Sequence, residues 1–483
     1  MSEPVEWLGD GTPYSPRFAD RYHSENGGLE QARETFFSGC GLPEAWAGAP
    51  QWRILETGFG LGLNFLVTWA AWKADPQRPR LLHFVSVEAY PVSAADLRRA
   101  LPADAGLQAL GEQLAAQWWG LLPGVHRLSF EEGQVLLTLY IGEARTLLRK
   151  QQVTADSVYL DGFSPGANPE LWDSEALGNV ARHCRRGTRL ATWCVAGEVR
   201  QSLARLGFEV RKVAGVPPKR HNLQACFSPR WEPRRRHDGG LPPPMPAPAR
   251  CLVIGAGLAG AAAAASLARR GWQVTVLDAG AEPASGASGL PAGLFNPHVS
   301  PDDSVLSRLS RSGVRTSLQT LLSLSAQGLL QTGRDWQATG VLEHDPAQPS
   351  ALPASWLRAS LHPGLDWSRP ASHAQLAAAG LPTGSLALWH ERAGWVRPAA
   401  LVRALLDSQP GIRYQGNCKV HSLRRPAAPD AAPDTWQALD AKGLPLGEAG
   451  LLILALGPAT AAVLAASGLD APAQWPLQPI RGQ

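Results

Sequence analysis

The 483-residue chain is short of cysteine, methionine and lysine, and long apolar runs are scarce. Its six cysteines (Cys40, Cys184, Cys194, Cys226, Cys251 and Cys418) are scattered, and none pairs as C-x-x-C. Such spacing offers neither a zinc site nor a disulfide framework and suits a reducing, cytoplasmic compartment. No metal is expected. Only six of the 45 Lys and Arg residues are lysine, and the formal net charge is +4. That mild excess permits a nucleic-acid partner without requiring one. The opening residues, MSEPVEWLGDGTPY, lack a basic start and an apolar core, so no signal peptide is expected. One run from Cys251, CLVIGAGLAGAAAAASLA, approaches the length of a membrane span. It divides instead into a short strand, a glycine turn and an alanine-rich helix. No membrane association and no obligatory protein partner are expected.

What the chain does have is a globular balance, 45% apolar and 18% charged. Its length suggests two to four domains at roughly 100–200 residues each. From Ser228 it reads SPRWEPRRRHDGGLPPPMPAPAR, where proline, glycine and arginine dominate and apolar periodicity disappears. That run predicts an exposed spacer. The expected division is therefore 1–227, a linker at 228–249, and 250–483. Both halves alternate strand-like and helix-like segments. RILETG, LHFVSVEA, TLYIGEA, SVYLDGF and TRLATWCV read as buried strands; GLNFLVTWAAWKA and NPELWDSEALGNVARHC read as helices. The second half opens with CLVIGAG, AGAAAAASLARRG and WQVTVLDA. This alternation predicts α/β folds with parallel sheets, and two glycine turns imply two nucleotide-like cofactors.

The first turn lies in WRILETGFGLGLNFL, where Gly58, Gly60 and Gly62 follow a strand and open a helix. Glycine lets the backbone turn sharply and approach a ligand closely. The G-x-G-x-G spacing is similar to the first motif of class I methyltransferases, which implies a Rossmann-like domain binding S-adenosylmethionine. Glu88 ends the next strand, where an acid can accept hydrogen bonds from ribose hydroxyls. Glu143, after another strand, could face the adenine amine. Asp161 ends a fourth strand; a carboxylate there can orient an amine or take its proton. A plain turn-former before Gly162 is the structural alternative for Asp161.

The second turn places Gly255, Gly257 and Gly260 as G-x-G-x-x-G between a strand and a helix, with Asp278 ending the following strand. This is the dinucleotide fingerprint, with the pyrophosphate on the helix N-terminus and the acid on the ribose. The nearby ASGASGLPAGLFNP, with ERAGWVRPAALVRALL and LLILALGPAT, resembles amine oxidases of the glycine and D-amino acid oxidase type. The resemblance implies FAD and a mixed α+β substrate domain.

Together, LETGFGLGLNFL, YLDGFSPGANPELW, VIGAGLAG followed by GASG, and the early TPYSPRFADRYHSENGGLEQARETF resemble one family across nearly the whole chain. It is that of the bifunctional tRNA 5-methylaminomethyl-2-thiouridine biosynthesis proteins. The resemblance implies a two-step modification of the tRNA wobble uridine (U34). FAD-dependent oxidation removes the carboxymethyl group from 5-carboxymethylaminomethyl-2-thiouridine, and S-adenosylmethionine-dependent methylation of the resulting amine follows. It implies that Gly58, Gly60, Gly62 and Glu88 bind S-adenosylmethionine, that Asp161 is catalytic, and that Gly255, Gly257, Gly260 and Asp278 bind FAD. Family members continue beyond PLQPIRGQ, so an incomplete flavin domain, weak FAD binding and poor oxidation are expected.

Basic residues cluster at Arg211, Lys212, Lys219, Arg220 and His221, and again at Arg230, Arg234, Arg235 and Arg236. Such clusters can neutralise phosphates. Lys219 and Arg220 are the expected tRNA contacts, and a solvated basic linker is the alternative for Arg234 to Arg236. Two other functions fit the same motifs. A small-molecule amine N-methyltransferase fused to an amino acid oxidase predicts no salt-sensitive RNA affinity. A non-catalytic cofactor-binding scaffold predicts that replacing Asp161 changes nothing.

Overall fold

The computed structural model describes residues 3–23, 28–151, 153–231, 247–347, 351–357, 363–425 and 435–469. The chain forms two compact units. Unit 1 comprises Met1–His237, Pro297–Thr316 and Leu342–Glu391; unit 2 comprises Asp238–Asn296, Ser317–Val341 and Arg392–Gln483. The spacer expected at 228–249 lies mostly outside the described residues, as do Arg234, Arg235, Arg236 and the closing PLQPIRGQ.

Unit 1 is built on an eight-stranded sheet: β1 (Gln51–Thr57), β2 (Leu81–Glu88), β3 (Gly124–Phe130), β4 (Val135–Ile141), β5 (Ala155–Leu160), β6 (Cys184–Thr192), β7 (Phe208–Ala214) and β8 (His221–Phe227). The spatial order is β7-β8-β6-β5-β1-β2-β4-β3. β1 pairs in parallel with β2 and β5, β2 with β4, and β5 with β6. β3, β7 and β8 join antiparallel at the two edges. Every residue of β4 and β5 is buried, as expected of parallel strands covered on both faces. One face packs on Phe65, Trp69, Trp72 and Phe84, and the other on Leu55, Val85, Leu177 and Leu203. The five strands read from sequence are all present.

The helix after β1 is α1 (Leu63–Ala74), and α2 (Ala144–Lys150) follows β4. The expected single helix through NPELWDSEALGNVARHC is instead two: α3 (Pro169–Trp172) and α4 (Ser174–Ala181). Asp173 separates them because it adopts an extended ψ of 170° and its carboxylate accepts the Ala176 N–H. An N-cap of this kind starts a new helix instead of continuing the old one.

Unit 2 carries a four-stranded parallel sheet: β9 (Arg250–Ile254), β10 (Gln273–Leu277), β11 (Ile412–Gln415) and β12 (Leu451–Leu454), in the order β11-β10-β9-β12. α5 (Leu258–Arg269) connects β9 to β10. Small antiparallel sheets accompany it, including strands at 293–295, 336–337 and 394–396. The run from Cys251 thus divides as expected into strand, turn and helix. Among the described residues no helix is long and apolar enough to cross a membrane.

Candidate active site

Five segments leave the carboxyl edge of the first sheet together. Gly58 follows β1, Glu88 closes β2, Gly142 and Glu143 follow β4, Asp161 follows β5, and Trp193 follows β6. The chain runs outward from β1 to β2 and β4, then returns to the other side of β1 as β5. Such a reversal opens a crevice where ligands bind in α/β sheets. Here the crevice is a cavity of about 500 Å³, lined by Gly58, Gly60, Glu88, Glu143 and Asp161 among others.

Gly58, Gly60 and Gly62 all have left-handed φ angles, of 89°, 53° and 77°, so the turn demands glycine. A Cβ on Gly58 would lie 3.2 Å from the Asp161 carbonyl oxygen. Gly62 does not line the cavity; it caps α1, where a Cβ would lie 2.9 Å from the Phe59 ring. Glu88 braces the turn. Its Oε2 accepts the Gly60 N–H at 2.9 Å, and its Oε1 accepts the Tyr90 N–H at 2.8 Å. Burial pushes its pKa up. Glu143 precedes α2 without a capping hydrogen bond of its own side chain. On the opposite wall, Phe18 stacks on Phe163 at 4.7 Å, and Tyr22 meets Phe163 edge-on at 5.1 Å.

Asp161 is the most heavily bonded group in the crevice. Its Oδ1 accepts the Gly162 N–H at 2.8 Å and the Trp193 indole N–H at 3.0 Å, and its Oδ2 accepts Asn64 Nδ2 at 2.9 Å. Asn64 Nδ2 also donates to Glu56 Oε1 at 2.9 Å, and Ser86 Oγ donates to Glu56 Oε2 at 2.7 Å. Glu56 is fully buried. Burial raises the pKa of Asp161 and holds that of Glu56 well above the usual carboxylate range. The Lys219 ammonium sits 3.5 Å from the centroid of the Trp193 ring, and burial lowers its pKa. Sequence reading missed Glu56, Asn64 and Trp193. An acid inside the apolar strand RILETG was the available signal for Glu56.

Lys219 and Arg220, expected together, differ in setting: Lys219 is half-buried beside Trp193, whereas Arg220 is exposed. Arg211, Lys212, His221 and Arg230 are exposed as well.

In unit 2, Gly255 has a φ of 107° and Gly257 caps α5. A Cβ on Gly260 would collide with the Gly255 carbonyl oxygen, so the helix can lie this close to the turn only without a side chain. Asp278 ends at the same turn. Its Oδ2 accepts the Ala256 N–H at 2.6 Å and its Oδ1 the Gly280 N–H at 2.8 Å. Ser288, from the ASGASG loop, accepts the Leu258 N–H at the helix start at 3.0 Å. Among the described residues, no group of three or more His, Cys, Asp or Glu is placed to hold a metal.

Two family models match the chain. One, described as an S-adenosyl-L-methionine-dependent methyltransferase, covers residues 105–228; the other, an FAD dependent oxidoreductase, covers residues 250–483. The chain is similar to the tRNA 5-methylaminomethyl-2-thiouridine biosynthesis bifunctional protein of Delftia acidovorans, with 65% identity over 485 residues. That alignment takes in 100% of this chain and 74% of the relative. The protein of the same description from an Acidovorax species is 62% identical over 483 residues, covering 100% of this chain and 73% of the relative. That from Cupriavidus necator is 41% identical over 491 residues, covering 100% and 71%.

Proposed function

This chain belongs to the family of tRNA 5-methylaminomethyl-2-thiouridine biosynthesis bifunctional proteins, and we propose that its two chemistries divide as residues 1–227 for methyl transfer and 250–483 for oxidation, joined by 228–249. It is an enzyme with two cofactors, S-adenosylmethionine and FAD. It acts on the wobble uridine of tRNA in two steps. The carboxymethyl group of 5-carboxymethylaminomethyl-2-thiouridine is removed, leaving 5-aminomethyl-2-thiouridine. Methylation of that amine gives 5-methylaminomethyl-2-thiouridine. We place the reaction in the cytoplasm, where the substrate tRNA resides.

One observation carries the residue assignments: the glycine turn, Glu88 and Asp161 line a single cavity. The cradle fits S-adenosylmethionine, because Gly58 and Gly60 present backbone without side chains to the cavity and Glu88 lines the same space, where a ribose would lie. When bound, S-adenosylmethionine supplies an electrophilic methyl group. Gly58, Gly60 and Gly62 shape the turn, Glu88 accepts from ribose hydroxyls, and Glu143 lies towards the adenine. Asp161 orients the target amine and takes the proton it sheds as the new N–C bond forms. Its raised pKa suits a group that must accept a proton. In the second unit, Gly255, Gly257, Gly260 and Asp278 hold the pyrophosphate and ribose of FAD at the start of α5. When bound, FAD supplies a two-electron acceptor. Arg220 contacts tRNA phosphate.

The test is incubation of the purified chain with tRNA from a strain lacking the activity, followed by nucleoside mass spectrometry. Conversion of the carboxymethylaminomethyl nucleoside to the aminomethyl and then the methylaminomethyl form is expected. Activity on free glycine-like amines with none on tRNA would overturn the reading.

A further inference from the structure

We propose that Lys219 is a positioning residue of methyl transfer, setting the charge of Asp161 through Trp193, and not a phosphate contact. The inference rests on the reading of Asp161 as the group beside the amine.

The geometry begins in the loop between β7 and β8. Ala214 pairs with His221 across the two strands, and the Gly215 N–H donates to the Arg220 carbonyl at 3.0 Å. The short loop so closed directs the Lys219 side chain inward onto the Trp193 ring at 3.5 Å. An ammonium over an indole face is held by the ring quadrupole. The indole N–H of the same ring donates to Asp161 Oδ1 at 3.0 Å. A cation on the ring face makes that N–H a stronger donor, because it draws electron density from the indole. Lys219 therefore reaches Asp161 by two routes, through the polarised N–H and through direct attraction.

Asp161 has need of a positive neighbour. Burial favours its protonated form, and from β1 the buried Glu56 faces it as a second acid. Lys219 is a positive charge acting on Asp161 and lowers its pKa. Asp161, Asp20 and Cys194 in turn favour the charged form of Lys219 against its own burial. Glu88, from β2, acts on Glu56. A methyl acceptor needs an ionised carboxylate to receive its proton, so a protonated Asp161 is inert in this role. A phosphate contact is favoured by the opposite arrangement, a cation exposed to solvent as the Arg220 guanidinium is.

The test compares the full-length wild type with Lys219→Met and Lys219→Arg. Single-turnover methylation of tRNA bearing 5-aminomethyl-2-thiouridine is followed from mildly acid to alkaline pH. The substrate amine is common to all three proteins, so differences between them report the enzyme. Lys219→Met is expected to move the acid limb to higher pH by about one unit, making the variant about tenfold slower at the acid end. Its rate should converge on wild type at alkaline pH, and Lys219→Arg should restore the wild-type limb. S-adenosylmethionine affinity and the salt dependence of tRNA binding should not change. A pH-independent rise in KM with a flatter salt slope would identify a phosphate contact and overturn the proposal, as would an unmoved acid limb. Carboxyl-carbon NMR of Asp161 titrates the group without turnover; its midpoint should rise in Lys219→Met. A wild type that methylates no tRNA would count against the functional reading, while the NMR midpoint would still decide the role of Lys219.

Discussion

At Asp161 the sequence supplied the position and the structure supplied the environment. The residue sits at a strand end beside the glycine turn, which was legible because both motifs are local. Its partners were not, because Asn64 and Trp193 come from two segments far from Asp161 in sequence that only the sheet order brings together, and Glu56 is reached through Asn64. Asp161→Asn preserves shape and removes the acceptor charge. Methylation should fall by about 10²–10⁴-fold, the usual contribution of an acid–base group, with calorimetric affinity for S-adenosylmethionine nearly intact. Wild-type turnover by the variant would refute the role. Glu56 offers a separate test, with pH as the variable. Its folded-state pKa is raised well above that of an unfolded glutamate, by burial. Such a group binds its proton more tightly when folded, so the stability it lends is complete below the unfolded pKa and is lost as pH rises through the folded one. Glu56→Gln keeps an acceptor for Asn64 and removes the titration. Thermal melts of the variant should therefore lose less stability than wild type between weakly acid and alkaline pH; parallel curves would show that Glu56 titrates normally.

Elements differ in how plainly the sequence announces them. Strands β1, β2, β4 and β5 lie in the middle of the sheet and appear in sequence as largely apolar runs, interrupted by few polar residues such as Glu56 and Ser86. The antiparallel strands β3 and β7 lie at the edges and carry charge, as edges commonly do. GVHRLSF and FEVRKVA are examples, and FEVRKVA looks in sequence like part of a basic surface. The helix interruption at Asp173 was hidden for a related reason: apolar spacing continues through the cap, and only the backbone turn reveals it. The second glycine turn was legible in full, since the fingerprint spans one contiguous strand–turn–helix. Its tightest constraint is Gly260, whose missing side chain lets α5 lie against the Gly255 carbonyl. Gly260→Val should push the helix start away from the turn and lower flavin occupancy below that of the wild type. The purified variant should show a weaker flavin absorbance band than the wild type, while methylation of an aminomethyl substrate persists. Wild-type flavin occupancy in Gly260→Val would mean that helix packing does not shape the site.

On the scale of the whole molecule, composition suggested a spacer at 228–249 but could not mark which later segments belong to the first unit. Residues 297–316 and 342–391 belong to unit 1, and single side chains are among the contacts that attach them. Arg315 is buried, donates to the Gln117 and Trp119 carbonyls, and lies 4.0 Å from the Trp119 ring. Trp367 donates its indole N–H to the Gly120 carbonyl at 2.9 Å. No local pattern foretells contacts across some two hundred residues. The same limit applies to charge. A net charge of +4 on 483 residues is too small to specify a nucleic-acid surface, so any tRNA affinity must come from local placement. Two adjacent basic residues are placed differently: Lys219 turns in towards Trp193, and Arg220 remains exposed. Only an exposed charge can release counterions from phosphate at little desolvation cost. Arg220→Ala is therefore expected to weaken tRNA binding evenly across substrate tRNAs and to flatten the logarithmic salt slope by about one unit. The rate of the bound complex should be unchanged, since Arg220 does not line the cavity that holds Asp161. Titration of labelled tRNA over a range of salt concentrations measures the slope. An unchanged slope would remove Arg220 from the interface and leave the exposed Arg211 and Lys212 of β7 as the next phosphate contacts to test.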